Sequence, residues 1–224
     1  METFTFESFP AVHSVIHIAL FENVSNSAAI RKRLVAASQM GGAEGDAAKE
    51  EVDYGFVEAQ LLVSKEHLLS AMLATLLYAY PSTEPSPAEP SSPNSVALSS
   101  LSVSERTPRT RSHNLHSEVL LLLSPNNNIT DSIKRHGISD NTTSLAVVKF
   151  GSAEKTPEEV FRGMESVVDG KLVSWNNLET GTDWAMVDKI YKLSELNALK
   201  LGSSELLNKK KTAVVSCVAV KNVI

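Results

Sequence analysis

The segment Ser124–Asn128 is the strongest candidate for a binding site, because a proline followed by three asparagines favours a tight polar turn. Asn128 can cap a following helix, with Asp131 at the spacing of a capping box. Backbone N–H groups at the start of a helix bind phosphate well, so the turn could hold an anion. The alternative is a turn whose polar groups satisfy only one another. The sequence has no GxxxxGK[ST] or GxGxxG run, so it lacks a nucleotide-binding fingerprint.

Clusters of basic residues are the second candidate, since Arg and Lys side chains bind the phosphates of RNA. We expect three clusters to converge on one surface, although charge runs are often only solvated surface. The net charge of −5 argues against binding nucleic acid through global charge, but screening over about 10 Å permits a local patch. The chain has seven Phe, four Tyr and two Trp, so an aromatic platform for bases would be small. The candidate RNA-binding residues are Arg31, Lys32, Arg33, Arg109, Arg111, Lys134 and Arg135.

Histidines surround the polar turn in the sequence, at His113, His116 and His136. No acid or nucleophile stands at the spacing of a catalytic triad or of an HExxH site. We therefore interpret these histidines as surface or capping residues, and we predict no catalytic residue, no cofactor and no metal. Cys217 is the only cysteine, which excludes an internal disulfide and a cysteine-rich zinc site.

The block Lys189–Ser194 is the last candidate, and it lies at the end of a predicted amphipathic helix. Its apolar residues could belong to the core or could enter a groove on a partner protein. Both interpretations stay open. Together with the polar turn, the candidate partner-interface residues are Ser124, Pro125, Asn126, Asn127, Asn128, Ile129, Lys189, Ile190, Tyr191, Lys192 and Leu193.

The N-terminal part predicts two strand–helix pairs. Alternating apolar residues favour a strand over Val12–Phe21, followed by a helix that Ser25 or Asn26 caps. The glycine-rich and acidic stretch over 41–53 indicates a loop. A short strand is expected at Val57–Val63, and a strong helical periodicity then runs from Ser64 until Pro81 stops it.

The composition changes over 81–108, where Pro, Ser and Glu predominate and predict a disordered insertion inside one domain spanning 1–224. We predict a buried strand at Val119–Leu123 that completes the same sheet, and another at Ser144–Phe150. Helices are expected after Thr156 and from near Thr182. The fold class is therefore α/β (mixed α+β), a small mixed sheet packed with several helices. No apolar run approaches the roughly 20 residues that cross a membrane.

Two sequence blocks resemble a known family. SEVLLLLSPNNNITDSIKRHGISDNTTSLAVVKF and the downstream KIYKLS are similar to the kinase-binding small subunits of the KEOPS (EKC) complex, the TPRKB family, and in particular to its fungal members. The resemblance extends over most of the chain. It implies a C-terminal helix at Val214–Val220, where β-branched residues alone would favour a strand. The chain departs from the family pattern at Ser112–His113, which is inserted after the basic stretch Arg109–Arg111, and at Lys209–Lys211.

The resemblance implies a non-catalytic subunit of a complex that makes threonylcarbamoyl-adenosine in tRNA. Such a subunit binds and stimulates the small atypical kinase/ATPase of the complex, meets the other subunits indirectly and helps recruit tRNA through its 3′ CCA end. The family is also linked to telomere maintenance and transcription, which implies the nucleus and cytoplasm, with a chromosomal fraction at telomeres. Two alternatives stay open: a small enzyme that binds phosphate at the Ser124–Asn128 turn, and a protein–protein adaptor without RNA contact.

Overall fold

The computed structural model describes residues 1–81, 107–199 and 201–221. The insertion predicted over 81–108 lies almost entirely outside these ranges. The α/β class is confirmed, with one sheet and helices on both of its faces. We predicted a mixed sheet, but every pairing between the described strands is antiparallel. The strands are β1 (Glu2–Thr5), β2 (Val15–Glu22), β3 (Gly55–Glu58), β4 (Ser144–Gly151) and β5 (Lys171–Val173).

Strand β2 is the centre of the sheet. It pairs with β4 along its whole length, and β1 and β5 pair with successive parts of β2. Strand β3 extends the sheet beyond β4. Successive side chains of a strand point to opposite faces, so Ile18 and Leu20 enter one apolar cluster while Ala19 and Phe21 enter another. Both faces of β2 are therefore buried, as the nearly continuous apolar run Val15–Phe21 requires.

The described residues contain ten helices. Their bounds are α1 (Ser27–Gln39), α2 (Gly42–Glu51), α3 (Lys65–Ala79), α4 (Leu115–Leu123), α5 (Ile129–His136), α6 (Pro157–Val167), α7 (Leu178–Gly181), α8 (Trp184–Tyr191), α9 (Ser194–Asn197) and α10 (Ser203–Val220). Among these described helices, none is both long and apolar enough to cross a membrane.

The predicted starts of three helices are confirmed. Ser64 caps α3 by accepting a hydrogen bond from the backbone of His67, and Thr156 forms a complete capping box with Glu159. Helix α8 begins two residues after Thr182. Local capping chemistry is readable in the sequence because both partners are within one turn of each other.

The loop predicted over 41–53 is wrong, because most of this stretch forms α2. Good helix formers (Ala, Glu and Lys) fill its second half, and the helix buries only Gly45. The strand predicted at Val57–Val63 is shorter than expected: β3 ends at Glu58 and a single 3₁₀ turn follows over Ala59–Leu61.

The strand predicted at Val119–Leu123 is also wrong, since these residues form the second half of α4. The side chain of Asn114 accepts a hydrogen bond from the Ser117 backbone at 2.9 Å, and the Ser117 hydroxyl accepts one from the Asn114 backbone at 3.0 Å. This capping box starts a helix that is buried on nearly all sides. A short apolar run without periodicity fits a buried helix as well as a strand, so the cap was the deciding signal.

The valine-rich C-terminus is helical, as the resemblance implied. Val214 and Val218 of α10 are buried, and α10 packs against α3. Val214 belongs to a C-terminal apolar cluster with Val63, Val187, Ile190 and others. Burial of one face by neighbouring helices outweighs the β propensity of these valines, which is worth at most about 1 kcal/mol per residue.

Candidate functional site

The turn at Ser124–Asn128 satisfies its own polar groups. Asn128 caps α5 by accepting a hydrogen bond from the Asp131 backbone at 3.1 Å. The Asn126 side chain accepts one from the Asn128 backbone at 3.1 Å and donates one to the Asp131 carboxylate at 2.5 Å. The Asn126 amide group and the N–H groups of Asn128 and Asp131 are therefore occupied, and a carboxylate already lies at the start of the helix. The geometry favours a self-capped turn over an anion site.

The carbonyl groups of the same turn surround a cation from the end of α10. The Lys221 ammonium donates to the carbonyl oxygens of Ser124 at 2.6 Å and Asn126 at 2.7 Å, and also to that of Leu121. Burial, and then the charge of Arg111, lowers the pKa of Lys221 to about 8. The ammonium is therefore still largely charged at neutral pH. It fastens the C-terminal helix to the end of α4.

A chain of buried hydrogen bonds connects the second motif block to the same place. The Tyr191 hydroxyl donates to the carbonyl oxygen of Leu123 and lies 3.0 Å from Nε2 of His67. The backbone N–H of Val63 donates to Nδ1 of His67 at 3.4 Å. This pattern assigns the neutral Nε2–H tautomer to His67, whose pKa burial lowers to about 3. The chain joins α3, α4 and α8.

The apolar residues of the block Lys189–Ser194 are part of the core. Ile190 and Leu193 are buried in the C-terminal cluster, and Tyr191 is half-buried in the hydrogen-bond chain. Lys189 and Lys192 are exposed, and Lys192 ends α8 in the left-handed conformation. Within this block, Lys189, Lys192 and Ser194 are the exposed residues and therefore the ones available to a partner.

The prediction of surface histidines is wrong for two of the three. His113 is exposed, but His136 is fully buried without a hydrogen-bond partner among the described residues. Burial lowers the pKa of His136 to about 4. His116 is buried too, with Nδ1 3.3 Å from the Asp53 carboxylate. Ser132 and His136 are the two buried residues of α5 and lie four positions apart, so helical spacing places both on one face.

Two of the predicted basic clusters are paired with acids on the surface. Arg31 lies 3.0 Å from the Asp140 carboxylate and Arg33 lies 3.2 Å from that of Glu51, while Lys32 is exposed. On α5, the Arg135 guanidinium is 3.0 Å from Asp131 in a helical i,i+4 pair. The neighbouring Lys134 is exposed as well. The acids reduce the positive potential around Arg31 and Arg33 in particular.

The third cluster lies against an aromatic ring that the sequence did not single out. The guanidinium of Arg111 is 4.2 Å from the centre of the Tyr78 ring, and that of Arg109 is 5.9 Å from it. Arg111 also forms an ion pair at 2.8 Å with Glu118, whose side chain is 0% exposed. We call Tyr78, Arg109 and Arg111 the arginine–tyrosine surface. No local pattern indicates this surface, since Tyr78 is about thirty residues from the arginines.

Lys221 places a further positive charge near Arg111. Arg111 and Lys221 are close enough for the guanidinium charge to lower the pKa of the ammonium. The charges of Arg135 and Lys221 in turn help to lower the pKa of His136. Among the described residues, no hydrogen bond, ion pair or ring contact joins the three predicted clusters directly to one another.

These features define a class: a small α/β protein with a self-capped turn, a locked C-terminal helix and a basic surface that contains an aromatic ring. Among the described residues, no group of three or more His, Cys, Asp or Glu is placed to hold a metal ion. Side chains of this kind, gathered on the outside of a rigid core, are typical of recognition modules.

The chain belongs to the family described as kinase binding protein CGI-121, whose sequence profile matches residues 21–222. A Cryptococcus neoformans protein named EKC/KEOPS complex subunit CGI121 is 62% identical over 231 residues, covering all of both chains. A Gibberella zeae protein with the same name is 30% identical over 233 residues, which cover all of this chain and 99% of the relative. A Candida albicans relative of that name is 30% identical over 208 residues, or 87% of this chain and 86% of its own. The family read from the two sequence blocks is confirmed.

Proposed function

We propose that this protein is a non-catalytic subunit of an EKC/KEOPS complex that binds the complex's small atypical kinase/ATPase and helps recruit tRNA. The observation that carries the proposal is the 62% identity to a subunit of that name along the whole chain. The family description, a kinase-binding protein, supports the kinase as the direct partner. The other subunits are then met indirectly, through the kinase.

The C-terminal helices are the proposed contact with the kinase. Three large apolar side chains are exposed on or between them: Met186 at 44%, Leu199 at 46% and Val220 at 43%. Single exposed apolar residues are ordinary, but three within one structural unit favour a protein partner. Of the three, Val220 lies at the end of α10 that Lys221 fastens to the turn.

Co-purification with the kinase tests this contact. The substitutions Met186→Glu and Leu199→Glu should each reduce the amount of kinase recovered with this chain, because they place a charge in an apolar interface. Val35→Glu on α1 is the matched control, since Val35 is exposed to a similar degree, at 49%. Equal loss of kinase from the control variant would move the contact away from the C-terminal helices.

The arginine–tyrosine surface is the proposed contact with the 3′ CCA end of tRNA. Arginines beside an aromatic ring suit a single-stranded end, in which phosphates and unstacked bases are both accessible. Binding should weaken steeply with salt, since each neutralised phosphate releases counterions. Arg109→Glu and Arg111→Glu should weaken binding, whereas Arg31→Glu should have a smaller effect. If the protein bound tRNA lacking the CCA end as tightly as intact tRNA, the proposed contact with the 3′ end would be wrong. The alternative of an adaptor without specific RNA contact would then be favoured.

In this proposal the chemistry of threonylcarbamoyl-adenosine formation belongs to other subunits, and this chain supplies assembly and substrate recruitment. Roles in telomere maintenance and transcription, and a nuclear and cytoplasmic distribution with a chromosomal fraction, follow from membership of the complex. A fluorescent fusion and chromatin fractionation test the distribution. The alternative of a phosphate-binding enzyme finds no support at Ser124–Asn128, because the Asn126 amide group and the Asn128 N–H are engaged within the turn and the Asp131 carboxylate lies beside them.

A further inference from the structure

The backbone that carries the two arginines is fixed at both ends. The Arg109 N–H donates to the carbonyl oxygen of Ala79 at 3.1 Å, at the end of α3. The N–H groups of Arg111 and Ser112 both donate to Oε2 of Glu118, at 3.0 and 3.1 Å. A segment of polar residues outside any helix or strand is thereby held in one conformation.

Glu118 is the centre of this arrangement. Its carboxylate is fully buried. Oε1 accepts a hydrogen bond from Nε of Arg111 at 2.8 Å and lies 2.8 Å from Nη2 in an ion pair, and Oε2 accepts a hydrogen bond from the Ser112 hydroxyl at 2.9 Å. A buried carboxylate is costly unless it is paired and fully hydrogen-bonded, and this one is both. Glu118 therefore fixes one edge of the Arg111 guanidinium.

The remaining edge of Arg111 faces outward. Nη1 of Arg111 makes no hydrogen bond within the described residues, and the side chain is 32% exposed. The guanidinium carbon lies over the Tyr78 ring, 4.2 Å from its centre. Arg109, beside the same ring, has no acidic partner among the residues described. Arg109 and Arg111 carry two positive charges, and Glu118 offsets only one of them. The net charge beside the Tyr78 ring is therefore positive, and Lys221 adds to it.

We infer that Glu118 and Tyr78 are positioning residues that hold Arg109 and Arg111 as a clamp for the phosphodiester groups of single-stranded RNA. The inference rests on the proposed function and adds to it the residues that make the clamp rigid. Arginine presents planar, paired donors that match phosphate oxygens, and fixing it in advance reduces the entropy lost on binding. The free Nη1 edge of Arg111 and the guanidinium of Arg109 are the phosphate-binding groups.

The substitution Glu118→Gln separates positioning from charge. It removes a negative charge close to the clamp, so long-range electrostatics alone would strengthen RNA binding. The positioning role predicts the opposite, a dissociation constant about threefold to tenfold larger, because Arg111 loses its charged partner. Glu158→Gln is the matched control, an exposed glutamate on α6 that should leave the affinity unchanged. Fluorescence anisotropy with the full chain and a labelled single-stranded oligonucleotide ending in CCA measures both.

Tyr78→Leu provides an independent test at a half-buried position. Removing the ring should weaken binding of the same oligonucleotide about threefold to fivefold, the range of an exposed cation–π contact. In the background Arg109→Gln/Arg111→Gln, Tyr78→Leu should have no further effect, since the ring acts through the arginines. Circular dichroism and thermal unfolding establish whether each variant is folded. If Glu118→Gln does not fold, Tyr78→Leu tests the positioning role in its place.

Three results would overturn the inference. Stronger binding by Glu118→Gln would mean that the carboxylate acts only as a repulsive charge. An undiminished effect of Tyr78→Leu in the double-arginine background would mean that the ring contacts RNA directly. In both cases the wild-type chain still binds RNA, so the proposed function survives. No binding of the oligonucleotide by the wild-type chain, alone or with its kinase, would remove the inference together with the RNA part of the proposed function.

Discussion

The Ser124–Asn128 turn and the arginine–tyrosine surface use polar residues in opposite ways. The turn and Tyr191 direct their hydrogen bonds inward, to α5, to Lys221 and to the end of α4. In the arginine–tyrosine surface, by contrast, one guanidinium edge and one whole guanidinium are left for a ligand. The most recognisable sequence in this protein therefore stabilises the fold, whereas the proposed recognition surface combines a basic stretch with a distant tyrosine. A well-formed motif does not by itself indicate the place of binding.

The largest expected effect is acid sensitivity of the inward-directed region. His67 and His136 have native pKa values lowered to about 3 and about 4, below the 6.5 of an unfolded histidine. The unfolded chain therefore takes up protons first, and stability is lost as the pH falls through 6.5. At pH 5 the loss should be about 2 kcal/mol for each histidine. Urea unfolding at pH 7.5 and pH 5 measures it.

The exposed His113 provides the control for this pH dependence. His113→Gln should show the same loss of stability between the two pH values as the wild-type chain, while the loss in His136→Gln should be smaller by about 2 kcal/mol. An unfolding free energy that is equal at pH 7.5 and pH 5 would contradict the assignment of buried neutral imidazoles.

Removal of one hydroxyl should be next in size. Tyr191→Phe leaves the carbonyl oxygen of Leu123 and the Nε2–H of His67 without partners in a buried place. The expected destabilisation is about 2 kcal/mol, since an unsatisfied buried group costs about 1 to 3 kcal/mol. Tyr78→Phe, which keeps the ring beside the arginines, should change stability by less than about 0.5 kcal/mol. Similar values for the two variants would remove the distinction between the regions.

A smaller effect is expected at the end of α10. Lys221→Met removes the ammonium that three carbonyl oxygens share and should destabilise the protein by about 1 to 2 kcal/mol. Because this contact fastens α10, hydrogen exchange should increase in the last turns of α10 before the rest of the chain. Lys209→Met is the control, since Lys209 is exposed on the same helix. Unchanged exchange in α10 would show that Lys221 does not hold the helix.

The smallest effect is expected at the ion-paired cluster on α1. Arg31→Gln breaks an exposed pair with Asp140 and should change stability by less than about 0.5 kcal/mol. Its effect on RNA affinity should be smaller than that of Arg111→Gln, because Asp140 already offsets the charge of Arg31. Anisotropy titrations of both variants at one salt concentration make the comparison. Equal losses of affinity would extend the binding surface to α1.

Features that depend on neighbours in the chain were predictable. The caps at Ser64, Asn128 and Thr156 were all placed correctly, as was the strand that became β4. In each case the interacting groups lie within one turn, or the apolar run matches one element. The failures at Val119–Leu123 and over 41–53 share a physical reason. Neither stretch has a hydrophobic periodicity that distinguishes a helix from a strand or a loop. Capping and packing therefore determined which structure each stretch adopts.

The sequence by itself determined the family, the α/β class and the residues at which several helices begin, because these depend on motifs and on contacts between near neighbours. The tertiary structure alone decided what the motif residues bind and where the free charges lie. Lys221 reaches the turn from about 95 residues away, and Tyr78 and Glu118 approach the arginines from two different helices. The contacts of Lys221 and Tyr78 depend on how helices pack around the sheet, and no spacing within the chain encodes them. Glu118 is only seven residues from Arg111, but the contact forms because the buried start of α4 places its carboxylate there.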